Sequence, residues 1–407
     1  MSPVIPTYQD GVIYTGSPMD RITPGRLGVR SYHRRKASPG YTLFSTAFGY
    51  TEYMIDLAGM VVHTWPVNHS QLGEILPNGN LLVDNYGYGL NELAPDGTEV
   101  WSWRGEYHHD FERLPNGNTI LLVAENEPVI PGFYAHGMEP DHMRTDHVIE
   151  IDPSGRVVWD FSFGDHLTEL RELAGLPWPV RYVSRDHEGN EKERGPADWA
   201  HTNTIEVLPD TRLGRADNRF RAGNLLFSFR ALDIIGVIDR DLGSIVWAWG
   251  LGILDGQHQP TMVPDGRILL FDNGTYRRRS AVLEMEPDTG RTVWTYEDGA
   301  NFYSPFRSGV QRLPNGNTLV CESDAGRILE VTRGKRIVWD YWSPFLGQGP
   351  ANQGRHIYRA TRYPEAYVGP VLDSRKERIA SVGDSSGRPL TTFRQALEYY
   401  QEALNPG

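Results

Sequence analysis

Apolar and polar positions alternate over short spans along most of the chain, and the spans recur. One element reads MVVHTW (60–65), TEVWSW (98–103), RVVWDF (156–161), SIVWAW (244–249), RTVWTY (291–296) and RIVWDY (336–341). Each copy alternates aromatic with smaller residues, as a strand with one packed face does. A second element is a hairpin around Leu-Pro-Asn-Gly-Asn: ILPNGNLLV (75–83), RLPNGNTILLV (113–123), MVPDGRILLF (262–271) and RLPNGNTLV (312–320), with a diluted copy split by an insertion at 211–222. Asn-Gly and Asp-Gly tolerate the positive φ of tight hairpins. A third strand, such as HVIEIDP (147–153) or VLEMEP (282–287), lies between the two elements. The unit is therefore a four-stranded antiparallel meander of roughly 40–50 residues, the size of a propeller blade.

Six closing strands predict an all-β, six-bladed propeller over 40–364. The chain enters mid-blade, where YTLFST, EYMIDL and VVHTW supply three strands, and RHIYRATRYP (355–364) is expected to complete that blade by pairing the two ends of the chain. Residues 1–39 and 365–407 fall outside the repeat as an N-terminal extension and a tail, and TTFRQALEYYQEAL in the tail predicts a surface helix. Insertions at 128–146 and 165–199 read as lids over one face of the ring.

The 43 glycines, 28 prolines and 11 tryptophans agree with many short strands and turns. A net charge of −12 argues against nucleic acid or an anionic membrane surface as partner. Cys321 is the single cysteine, so no internal disulfide forms. No stretch approaches ~18 apolar residues. The first residues, MSPVIPTYQDGVIYTGSPMD, show neither a basic region nor an apolar run, so a cytoplasmic location is expected. The pattern leaves the oligomeric state open.

Counting back from each Leu-Pro anchor aligns the innermost strands. Five residues before it lie Gln71, His109, Asn203, His258, Ser308 and Tyr358; seven before it lie His69, Tyr107, His201, Gly256, Phe306 and His356. Strict alternation puts both positions on one side, beside the channel. His109, His201, His258 and His356 are thus expected to converge in one pocket, with Asn203, Gln257 and Tyr358 among its lining. NGTYRRRS (273–280) adds Arg277 and Arg278 near the mouth of His258's blade. Guanidinium groups beside histidines suit an anion with several oxygens. His136, His142 and His147 match no metal-ligand spacing. No Walker-type loop, dinucleotide fingerprint, CxxC pair or GxSxG elbow occurs.

With these residues in hand, the chain resembles the arylsulfotransferase family, propeller enzymes that use aryl sulfates as donors. The similarity covers nearly all of 40–364 and shows in YTLFS…MIDLAGMVVHTW, HHDFERLPNGNTILL, DWAHTNTIEVLP, GQHQPTMVPDGRILLFDNG and RSGVQRLPNGNTLV. The resemblance implies a channel histidine that carries the sulfuryl group, with other histidines and an arginine binding it. By motif, His201 and His258 match family histidines, and one of Arg277–Arg279 matches the sulfate-binding arginine. A further histidine is expected on the fifth blade's innermost strand, where this chain has Tyr303-Ser304-Pro305-Phe306-Arg307.

Three readings follow. The first is sulfuryl transfer from an aryl sulfate to a phenol with no diffusible cofactor, in which His258 is the principal catalytic residue, His201 and His356 are its acid–base or anion-binding partners, and His109 helps bind the substrate. The second is a metal-assisted lyase or hydrolase with one divalent ion held by His109, His201, His258 and His356. The third is a propeller that binds a small aromatic or anionic ligand without catalysis.

Overall fold

A computed structural model describes residues 5–7, 27–180, 182–184, 197–347 and 354–373. The helix expected at 391–404 lies outside the described residues. Six four-stranded antiparallel blades form a six-bladed propeller. The first blade runs, from the axis outward, Ile357–Tyr363, Tyr41–Thr46, Gly49–Ile55 and Val61–Ser70. The ring therefore closes between the chain's two ends as expected, in the register Tyr363 opposite Tyr41. The innermost strands of the next five blades are Gly73–Ile75, Tyr107–Arg113, Thr202–Val207, His258–Met262 and Gly309–Arg312.

The extension before residue 40 is not wholly outside the sheets. Gly28–Tyr32 pairs with the closing strand Ile337–Trp342 and covers the outer edge of the sixth blade as a fifth strand. Alternation gave no sign of this, because a strand added to an outer edge needs backbone groups rather than an apolar face. In the region read as the second lid, Leu167–Ala174 is a short helix, with Leu167 and Leu170 buried.

The repeats exist because neighbouring blades are stapled by them. Four closing-strand tryptophans each donate their indole N–H to a carbonyl in the third-to-fourth-strand turn of the following blade: Trp65 to Ala94 (3.2 Å), Trp101 to Pro153 (2.9 Å), Trp294 to Arg333 (2.9 Å) and Trp339 to Leu57 (2.9 Å). A glutamate one strand further in takes an arginine from the next blade, which also lies over the same tryptophan. Glu92 binds Arg113 at 3.2 Å, and Arg113 sits 4.8 Å from the Trp101 ring centroid. Glu330, Arg362 and Trp339 repeat the arrangement, as do Glu150, Arg240 and Trp159. In the Leu-Pro-Asn-Gly-Asn turns the glycines need left-handed backbone; Gly117 has φ 89° and Gly316 has φ 84°.

Nearer the axis, one acceptor per innermost strand takes a backbone N–H of the next blade. Glu112 accepts from Val207, Glu206 from Met262 and Gln311 from Arg362, each at 2.8 Å. Burial pushes the carboxyls of Glu74 and Glu206 up to about 8 and that of Glu112 to about 7. This belt fixes the innermost strands, and the site is built on their first residues.

Candidate functional site

The innermost strands do not begin as ideal strands. Their pairing slips between Tyr107 and Phe111, Thr202 and Thr204, His258 and Thr261, and Ile357 and Ala360. His109 (φ 64°), His201 (φ 49°) and Gln259 (φ 45°) lie in left-handed backbone at or beside these bulges. A bulge re-aims side chains, so strict alternation misreads the strand starts. The consequence is visible at His108. Alternation sends it away from His109, yet the two rings lie 4.1 Å apart, and His201 is 4.7 Å from His109 and 5.6 Å from His108. Three imidazoles therefore meet where counting placed two.

His258 is buried, and its position is tied on one side. Its Nδ1 lies 2.7 Å from Asn273 Oδ1 and 3.0 Å from the Gly256 carbonyl. Asn273's amide nitrogen donates to the carbonyls of Ser304 (2.8 Å) and Arg307 (3.0 Å), which sets the orientation of the amide. Nδ1 thus faces two acceptors and carries the proton, and the lone pair resides on Nε2. Burial, followed by the charge of Arg230, holds the His258 pKa well below the ordinary histidine value, so the ring is neutral at neutral pH. His109 is likewise held well below, by burial and then by His108, His201 and His258. Its Nδ1 is buried without a hydrogen-bond partner, so nothing comparable fixes its proton.

His201 leans on a carboxylate: its Nδ1 is 2.6 Å from Asp198 Oδ2. Against its burial, the neighbouring His201, His108 and Arg144 hold the Asp198 carboxyl well below the usual carboxylate range. The carboxylate stays charged and supports an imidazolium when one forms. His356 lies near the charge of Arg307. Burial and then Arg307 lower its pKa to about 4.

Three arginines absent from the sequence expectation stand here. Arg230 lies over the Phe306 ring, 4.9 Å from its centroid, and Arg307 over the Phe48 ring at 5.3 Å. Arg359 is buried and bonded to Asp110 (2.9 Å) and the Asn203 carbonyl (2.8 Å). Arg307 differs from Arg359: among the described residues no carboxylate lies within 4.0 Å of it, Asp324 acts on it only from further off, and burial lowers its pKa. A half-buried cation of that kind is available to an anion.

Other expected residues are placed differently. Arg277 binds Asp272, with Asp255 at 3.7 Å and the Ile253 carbonyl at 3.0 Å, and Arg278 is exposed in left-handed backbone. Gln257 donates to Ser228, Phe229 and Ile234 of the fourth blade, and the Asn203 amide donates to the Gln257 carbonyl at 2.8 Å. Both are fully buried ties between the fourth and fifth blades. Tyr358 is buried 6.4 Å from His109, and its hydroxyl has no hydrogen-bond partner. The signals that could have found the missed residues are modest: His108 adjoins His109 in HHD, and Asn273 stands in the Phe-Asp-Asn-Gly of the family resemblance.

A family model described as arylsulfotransferase (ASST) matches residues 73–344, about two thirds of the chain. No protein of curated function matches the sequence. Among solved structures, a protein of unknown function from Bacteroides caccae is 14% identical, with 80% of this chain and 99% of that one covered and a TM-score of 0.48. A streptogramin B lyase is 10% identical, with 83% and 93% covered and a TM-score of 0.41. A virginiamycin B lyase from Staphylococcus aureus, solved with quinupristin, is 10% identical, with 78% and 88% covered and a TM-score of 0.42. None of these superpositions is close enough to inform the site.

Proposed function

The chain belongs to the arylsulfotransferase family, and on that premise we propose that it transfers a sulfuryl group from an aryl sulfate to a phenolic acceptor through His258. The observation that carries the reading is the pair of acceptors facing His258 Nδ1, which assigns the proton to that atom and leaves Nε2 as a neutral nucleophile near the charge of Arg230. In the first half-reaction Nε2 attacks sulfur and the S–O(aryl) bond breaks, its electron pair leaving with the phenolate. The Nδ1–H, held by two carbonyl oxygens, bears the positive charge that develops on the ring. Arg307 and Arg230 stabilise the sulfuryl oxygens, and their effect is strongest where burial excludes water. His201 on Asp198 hands a proton to the departing phenolate and takes one from the incoming phenol. In the second half-reaction the acceptor oxygen attacks sulfur, the N–S bond breaks, and the lone pair returns to Nε2. Every group used belongs to the chain, so no diffusible cofactor enters the steps.

The histidine expected in the 303–307 stretch, which leads into the innermost strand of the sixth blade, is absent, and this fits the assignment. Arg307 occupies that stretch and supplies charge there, and its backbone carbonyl helps orient Asn273 behind His258. The test is steady-state transfer from a chromogenic aryl sulfate to a phenol. His258→Ala should abolish it, and treatment with a chelator should not. Undiminished transfer by a folded His258→Ala protein sinks the assignment, as does loss of transfer on chelation.

A further inference from the structure

We propose that His108, His201 and Asp198 form a binding site for one first-row divalent metal ion, on the wall of the histidine cluster beside His109. One ligand atom from each of the three lies within 4.8 Å of the other two. Among the described residues the donors that gather within this reach are not those of the histidine quartet expected from the sequence; His258 spends Nδ1 on Asn273, and His356 is near the charge of Arg307.

The state of His108 points to a ligand. Its side chain is 1% exposed, and neither ring nitrogen makes a hydrogen bond. A buried polar group left so is unfavourable unless a partner binds it. Behind it stands Asp146, whose Oδ1 is 3.2 Å from His108 Nδ1 and whose Oδ2 accepts from the Thr202 N–H at 2.6 Å. A carboxylate behind one imidazole nitrogen is the usual support of a metal-bound histidine, and it leaves Nε2 as the donor. Asp198 Oδ1 is also buried without a hydrogen-bond partner.

Charge and donor type narrow the ion. Asp146 and Asp198 bring two negative charges, and Arg144, 3.7 Å from Asp198 Oδ2, offsets one of them. Two imidazoles and a carboxylate suit Zn²⁺ or Co²⁺ over Mg²⁺ or Ca²⁺, which favour all-oxygen sites. An ion on His201 would take away the proton carrier of the transfer reaction, so metal should inhibit transfer. That arm rests on the function proposed above; the binding arm does not.

The experiment uses the full chain, stripped with a chelator and titrated with Co²⁺, whose visible d–d bands report nitrogen and oxygen coordination. Saturation at one equivalent is expected, with displacement by Zn²⁺. His108→Ala and Asp198→Asn should lose the bands, and Asp146→Asn should weaken binding ~10–100-fold. His136→Ala, at an exposed histidine, should bind as the wild type does. Circular dichroism checks folding, and if His108→Ala does not fold the two near-isosteric variants decide. No saturable Co²⁺ binding by the wild type overturns the proposal, and so does undiminished binding in folded Asp198→Asn and Asp146→Asn proteins. Zn²⁺ should also lower aryl-sulfate turnover in the wild type but not in Asp146→Asn at the same concentration. If no turnover exists at all, the function proposal fails and the Co²⁺ result stands by itself.

Discussion

Replacing Asn273 by leucine keeps the side-chain volume and removes every hydrogen bond that the amide makes. Three are lost: two from its nitrogen to the carbonyls of Ser304 and Arg307, and one to its oxygen from His258 Nδ1. At about 1 kcal/mol each in net stability, the variant should be about 3 kcal/mol less stable. The catalytic effect is separable from that. His258 Nδ1 keeps the Gly256 carbonyl as an acceptor, so the tautomer preference weakens by one hydrogen bond. About 1–1.5 kcal/mol of lost preference is roughly tenfold in rate. Release of the Arg307 backbone should deepen the loss toward ~10²-fold, because arginine positioning acts on transition-state charge. Asn273 touches no substrate in the proposed reaction, so the fall should appear in kcat with KM nearly unchanged. Urea unfolding measures the first quantity, and transfer from a chromogenic aryl sulfate at saturating phenol measures the second. A folded Asn273→Leu protein with wild-type kcat would refute the claim that this amide sets the proton of the nucleophile.

Arg307 and Arg359 should separate function from stability. Arg307→Met should cut transfer ~10²–10³-fold with little loss of stability, since no carboxylate lies within 4.0 Å of Arg307 among the described residues. Arg359→Met strands the buried Asp110 carboxylate and should cost about 3–5 kcal/mol; equal stability losses in the two variants would contradict this. The belt glutamates predict a pH dependence of folding. Their carboxyls are raised to about 7–8 in the fold, so between pH ~4.5 and those values the folded state binds more protons than the unfolded chain. These groups therefore make stability fall as pH rises through that window. Replacing Glu74, Glu112 and Glu206 by glutamine together should flatten the decline in Tm between pH 6 and 9, and an unchanged slope would count against protonated carboxyls in the belt.

The architecture was legible because it rests on repeated physics. Tryptophans at fixed places in the closing strands and Asn-Gly turns recur since each blade must staple to the next, and a repeat needed six times is easy to see once. The site was legible only in part. His109, His201 and His258 carry motif signals, and two of their rings meet as expected. His108 was missed because a bulge breaks the alternation by which its side was judged. Arg230 directly follows an apolar strand and Arg359 lies within one, and nothing local distinguishes either from an inter-blade arginine such as Arg362. Conversely, the run Arg277–Arg279 drew attention as charge, whereas the Arg277 guanidinium is bound to Asp272.

The most direct test of the account is the covalent intermediate. The protein would be mixed with an aryl sulfate in the absence of acceptor, quenched without acid, digested and mapped by mass spectrometry. The account predicts one SO₃ adduct on the peptide bearing His258, discharged when a phenol is added before the quench. A transferring enzyme with no adduct, or with its adduct on His109 or His201 instead, would contradict it.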